Sequence, residues 1–326
     1  MTAIPWGVSG AQARTIRLAW VGVLGIAGLW VWLAVVGGSY LSQTGQLWSA
    51  ITSGQSLNVG PALVLTVLVL LAAEQRWPAV RRPFFSRAHI VDAGYLLLFA
   101  VAAMPVITLA SNGLSLEIGR HASFLVLSYL PFVPSLVAVI VILVATDGML
   151  WAGHVANHRF ETLWRLHALH HSQEDMSVLT TFRTHPLIHA TYLPALLPAL
   201  LLEANGTVPR VALMVYGCLV TLPHANLRWR LGPLGRVVVS PAYHRIHHAR
   251  DLGPRGTVNF GFVLVVWDWL ARRAEFPTGG EPIATGIAGR TVPLEQVQAR
   301  PSRLPLVFLA QLVQPFRRFS TTDWRR

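Results

Sequence analysis

Residues 18–36 form an uninterrupted apolar run. At a rise of about 1.5 Å per residue, a helix of this length crosses the hydrocarbon core of a bilayer. A chain that begins this way has few folds open to it. In lipid every backbone polar group must be satisfied within the segment, which leaves helices or closed barrels. Two Arg residues, Arg14 and Arg17, precede the run, but no small-residue cleavage signal follows, so it reads as a retained first span. Further apolar runs cover 59–73, 93–110 and 124–146. The run at 59–73 is short and needs its neighbours or a locally thinner bilayer to cross. Two still shorter stretches, 190–202 and 208–223, flank a polar turn containing Asn205 and Gly206 and read as a hairpin that spans or re-enters.

Charge placement gives the orientation. Only 12% of the residues are charged, and all 26 basic residues are Arg, for a formal net charge of +12. They cluster between apolar runs. Arg14 and Arg17 stand before the first run, the segment 37–60 is uncharged, and Arg76, Arg81, Arg82 and Arg87 follow the second run. By the positive-inside rule these clusters face the cytoplasm, as does the segment after Thr146 with Arg159, Arg165 and Arg183. A nucleic-acid surface would present a continuous basic tract with interleaved aromatics, and none is found. The lone Cys218 sits in an apolar run, which excludes a disulfide framework and disfavours a thiolate metal site. The tail after Pro277 turns polar, then ends in an apolar segment, 304–316, flanked by Arg303, Arg317 and Arg318, which reads as an interfacial helix.

Histidine carries the chemistry. Nine of the thirteen histidines fall into a few short segments on the expected cytoplasmic side. His154 and His158 are spaced i, i+4. His167, His170 and His171 repeat as H-x-x-H-H, and His244, His247 and His248 repeat the same triplet after the hairpin. On a helix each set occupies one face. His224 stands alone just before the second triplet. Imidazole suits iron, zinc, copper and nickel, and eight or nine rings exceed what one ion coordinates, so two ions fit the count. The H-E-x-x-H pattern of a zinc hydrolase is absent. His89 and His121 are isolated and read as structural, while His185 and His189 lie close enough to the cluster to support it from outside.

Taken together, the blocks 147–158 (DGMLWAGHVANH), 163–172 (LWRLHALHHS), 180–186 (TTFRTHP), 224–226 (HAN), 240–248 (SPAYHRIHH), 259–261 (NFG) and Trp267-Asp268 resemble the fatty acid hydroxylase and sterol desaturase superfamily. The resemblance covers roughly residues 88–271. It implies an all-α integral membrane protein of about four to six transmembrane or re-entrant helices, with a cytoplasmic helical cap carrying the histidines. By position, His154, His158, His167, His170, His171, His224, His244, His247 and His248 would bind two iron ions. Asp147, Asn226, Asp251 and Asn259 would orient the imidazole N–H groups, with His185 beside them. The implied reaction uses O2 to hydroxylate or desaturate a lipid, such as a fatty acyl chain or sterol, in a bacterial inner membrane. Leu150-Trp151, Val155, His189 and the closing Trp269-Leu270-Ala271 depart from the family's usual residues without removing a ligand.

The implied domains are an N-terminal membrane hairpin (1–87), the di-iron domain (88–275) and a cytoplasmic tail (276–326). No dinucleotide, haem-attachment or iron–sulfur motif is present, so electrons are expected from a separate ferredoxin or flavoprotein reductase. A membrane haem carrier would need fewer histidines, placed inside the spans. A non-catalytic metal-binding or transport protein would carry ionisable residues along nearly bare spans.

Overall fold

The computed structural model describes residues 21, 25, 28–29, 31–36, 38–39, 59–83, 86–127, 133–202, 207–252, 258–278, 283–287 and 304–316. Among them the fold is helical, with isolated bridges and no extended strand. Nine of the nineteen residues of the first apolar run lie outside the described residues.

Helix α1, Val59–Arg76, is followed by α2, Arg87–Leu98. Ser86 starts α2 with a reciprocal cap: its hydroxyl accepts the His89 backbone N–H, and the His89 ring accepts the Ser86 N–H. A single π turn, Phe99–Ala103, joins α2 to α3, Met104–His121, so that 87–121 runs as one 35-residue helical rod. Helix α4, Ser135–Arg159, begins after Pro134, later than the apolar run at 124–146 suggests. Proline disfavours helix in the residue before it and is tolerated at a helix start. The same helix continues through Thr146 and Asp147, so the expected membrane exit falls inside a rigid rod. The rods 87–121 and 135–159 are long and apolar enough to cross a membrane by length and composition.

Helices α1 and α4 turn apolar faces outward. Val64, Leu65, Leu68 and Val69 on α1 and Leu136, Val137, Ile140 and Val141 on α4 are all exposed, the reverse of a helix that turns a polar face to water. The inward faces pack tightly. Val67, Leu70 and Ala73 of α1 meet Val178, Leu179 and Phe182 of a 3-10 turn, while Gly113 of α3 accepts close approach of the Leu33 backbone, where a Cβ would clash with the Leu33 carbonyl.

Helix α5, Glu161–His171, follows α4 after a turn at Phe160. The 190–202 stretch is not a continuous α-helix: it is a 3-10 segment, Pro186–Leu196, then α6, Leu197–Leu201, with Pro194 and Pro198 interrupting the i→i−4 ladder. Helix α7, Thr207–Leu219, returns against α4. Two short helices, α8 (Pro241–His247) and α9 (Val266–Leu270), cover the histidine-bearing end. Helix α10, Leu304–Val313, docks on α2 instead of lying free: Leu304 and Val307 are buried, Phe308 packs on Tyr95 and the Tyr95 hydroxyl donates to Gln311.

Candidate metal centre

The last two turns of α4 present His154 and His158 on one face, and the extended residue Phe160 then turns the chain so that α5 brings His167, His170 and His171 back against them. His224 ends a 3-10 turn, Leu222–His224, that closes α7. Helix α8 starts on Ser240, whose hydroxyl accepts the Tyr243 N–H, and delivers His244, His247 and, at its C-cap, His248. All nine rings are buried and fall into two sets. One is His154, His158, His167, His171 and His247; the other is His170, His224, His244 and His248. Within each set the ligand nitrogens lie within 4.8 Å of one another.

Backbone carbonyls and a hydroxyl hold several rings from behind. The Nδ1 of His154 meets the Phe260 carbonyl at 2.8 Å, that of His247 meets the Val258 carbonyl at 2.7 Å, and that of His224 meets the Thr181 hydroxyl at 3.2 Å. Such contacts fix the tautomer and aim Nε2 at the shared interior. There the nitrogens crowd: Nε2 atoms approach at 2.9 Å for His224 and His170, and at 3.1 Å for both His244 with His224 and His247 with His154. Among the described residues the Nε2 atoms of His167, His171 and His248 are buried with no hydrogen-bond partner. Buried polar atoms without partners are costly. Convergent, unpaired imidazole nitrogens fit a transition metal.

The electrostatics agree. Burial, reinforced by neighbouring imidazoles, holds His167, His171, His224, His244, His247 and His248 well below the usual histidine value and lowers His170 to about 3. These rings are neutral at pH 7, the form that ligates metal.

The expected supporting residues divide. Asp147 accepts hydrogen bonds from Tyr216, the Val263 and Leu264 amides and the Trp267 indole, tying α4 to the 258–270 segment. Asn259 adopts a left-handed conformation (φ 59°), and its side-chain amide donates to the Tyr243 and Glu275 carbonyls, shaping the loop whose carbonyls meet His154 and His247. Asn226 joins the turn after His224 to α1, its amide N–H donating to Glu74 and its side chain pairing with the backbone of Val80. His185 and Asp251 lie apart from the rings. His185 caps the 3-10 segment by accepting the Leu187 N–H and pairs with the Leu312 carbonyl, and Asp251 is exposed in the turn after α8.

Sequence reasoning gave no role to three groups. Asp268 accepts from the Phe260 and Gly261 amides, the Trp151 indole and the Tyr243 hydroxyl, so it braces the carbonyl behind His154. Glu74 accepts the Val178 and Asn226 amides. Asp92 pairs with Arg183 at 2.9 Å, with the side chains at 1% and 0% exposure. The signal available was a carboxylate standing alone in an apolar run.

Residues 139–272 match the family model described as fatty acid hydroxylase. Ornithine lipid hydroxylase OlsE of Rhizobium tropici is 34% identical over 187 residues, covering 57% of this chain and 52% of that protein. Alkylglycerol monooxygenase of Caenorhabditis elegans is 28% identical over 151 residues (43% and 28%), and that of Homo sapiens 30% over 124 residues (37% and 26%). The chain thus spans about half the length of the first relative and about a quarter of the other two. No solved structure matches it.

Proposed function

Because the chain belongs to the fatty acid hydroxylase superfamily through residues 139–272, we propose that it is a membrane-embedded lipid hydroxylase whose nine clustered histidines hold two iron ions. The observation that carries this reading is the convergence of the nine rings into two buried sets. His154, His158, His167, His171 and His247 would hold one ion, and His170, His224, His244 and His248 the other. When bound, the irons would supply activation of O2, which with two electrons from an external donor and two protons from water would place one oxygen atom in a C–H bond and release the other as water.

The chain's own groups do the rest. The carbonyls of Phe260 and Val258 keep the Nδ1 protons of His154 and His247 turned away from the interior, so that Nε2 faces the ion. Asp147 and Asp268 clamp the loop that carries those carbonyls. Burial keeps the rings neutral and bulk water out of the cluster.

The membrane rods bring an acyl or alkyl chain to this end from within the lipid, which suits a lipid substrate, as the names of the relatives also suggest. The charge pattern favours a cytoplasmic cap; a bacterial inner membrane, residues 88–275 as the catalytic unit and a separate ferredoxin or flavoprotein reductase as electron donor complete the proposal. The test is comparative lipid mass spectrometry of host cells carrying the native chain or His170→Ala. A lipid heavier by one oxygen that disappears with the variant is expected. Unchanged lipid profiles would remove the support for this reading, and a loss of two hydrogens instead would indicate desaturation.

A further inference from the structure

A cavity of about 500 Å³ opens where α1 ends. Its wall brings together Arg76, Arg81, Arg82 and Arg228 with Glu74 and Asn226. The acidic member is already engaged: Glu74 Oε1 accepts two backbone amides. Arg228 Nε donates to the Pro78 carbonyl at 3.3 Å, and one guanidinium is less completely satisfied. Arg82 reaches Asp175 through Nη1 at 3.6 Å, but its Nη2 is buried with no hydrogen-bond partner among the described residues. Four guanidinium groups share this wall with one carboxylate, and a buried N–H aimed at no acceptor is costly.

Trp77 and Trp229 pack together beside the cavity with ring centroids 6.0 Å apart, and the Arg76 guanidinium lies over Trp77. Trp77 is half exposed. Tryptophan beside arginine at the end of an apolar helix is the pattern of the headgroup layer. Guanidinium forks bind phosphate oxygens in pairs.

The geometry points to an anion site in this cavity for the phosphate of a membrane lipid headgroup. The phosphate oxygens would accept from Arg82 Nη2 and from the neighbouring guanidinium groups, with the glycerol end toward the tryptophans. Asn226 lines the cavity, and Ala225 alone separates it from His224 in the chain. The site rests on the membrane reading for the source of its phosphate, and not on the identity of the oxidised lipid.

The test is calorimetric titration of the purified full chain in nonionic detergent with three probes: dihexanoyl phosphatidylglycerol, dihexanoylglycerol and inorganic phosphate. The phosphatidylglycerol should bind more tightly than the neutral diacylglycerol, and Arg82→Gln and Arg228→Gln should each weaken it by about tenfold or more, as expected for losing charge-assisted contacts. Arg120→Gln, at the distant end of α3 and exposed, should leave it unchanged. Metal content of the variants reports folding, and Arg228, being exposed, carries the test if Arg82→Gln does not fold. Inorganic phosphate binding as tightly as the lipid, with the same Arg dependence, would assign the site to free phosphate. Equal binding of phosphatidylglycerol by the native chain and both cavity variants, or no preference over diacylglycerol, would overturn the proposal. Neither result depends on whether a hydroxylated lipid is found.

Discussion

The rings of His171 and His248 lie stacked with centroids 4.2 Å apart and planes 14° from parallel, although one comes from α5 and the other caps α8. Each belongs to a different imidazole set. The stack is therefore the wall shared by the two candidate metal positions, and a change in it is felt on both sides.

His248→Ala removes a ring from the second set and the support of His171 in the first. Metal content should fall by more than one ion per chain, whereas His224→Ala, whose ring packs on members of the second set, His170, His244 and His248, should cost about one, because ligands to a common site are lost together only when they are coupled. Elemental analysis of the purified variants reads this directly. Equal losses would mean that the stack does not couple the sets.

Acid should act on the metal-free chain through its buried imidazoles. Burial lowers His170 to about 3 and His185 to about 4 from an ordinary 6.5. Both are lowered in the folded state, so the unfolded chain binds more protons below pH 6.5. Their stability contribution is complete above that pH and is lost as pH falls toward 4 and then 3. Thermal unfolding in detergent across pH 7.5 to 4 should show a falling midpoint that begins near pH 6.5. A midpoint that stays flat down to pH 4.5 would be inconsistent with buried neutral rings.

The Asp92–Arg183 pair should be structurally expensive to break. Asp92 also accepts from Gln173 and Thr180, and Arg183 donates to the Leu169 carbonyl and Ser172, the residues flanking His170 and His171. Asp92→Ala strands a buried guanidinium and should cost about 3–5 kcal/mol of stability. Denaturant unfolding measures it, and a loss under about 1 kcal/mol would show that water reaches the pair.

Asp268→Asn keeps the size of the side chain but weakens its hold on the Phe260 and Gly261 amides, and so on the carbonyl behind His154. Iron affinity should fall by about 10- to 100-fold with the fold retained, as for other groups that orient a ligand. Competition with a chelator measures it. Unchanged affinity together with a normal unfolding midpoint would assign Asp268 a packing role alone.

The histidines were the most legible part of the sequence, because ring spacing on a helix is fixed by its 3.6-residue period and both triplets lie on short helical turns. Their partition between two sets was not legible: His170 and His171 are adjacent in the chain yet join different sets, which only the tertiary approach of α8 decides. The length of α4 was not legible either: hydropathy falls at Thr146 and Asp147, while backbone hydrogen bonding carries the helix on to Arg159. Arg183 looked like a cytoplasmic flank and is fully buried, since charge counting registers sign and not partner. The supporting roles expected of Asp251 and His185 rested on nearness in sequence, and the turn after α8 and the cap of the 3-10 segment carry them away from the rings.

The most direct measurement is quantitative elemental analysis of the full chain purified from iron-replete cells in mild detergent, with X-ray absorption at the iron edge. About two iron ions per chain in a nitrogen-rich environment are expected from nine convergent imidazoles. A folded chain containing no transition metal, or a single ion that saturates the site, would contradict two histidine-held centres.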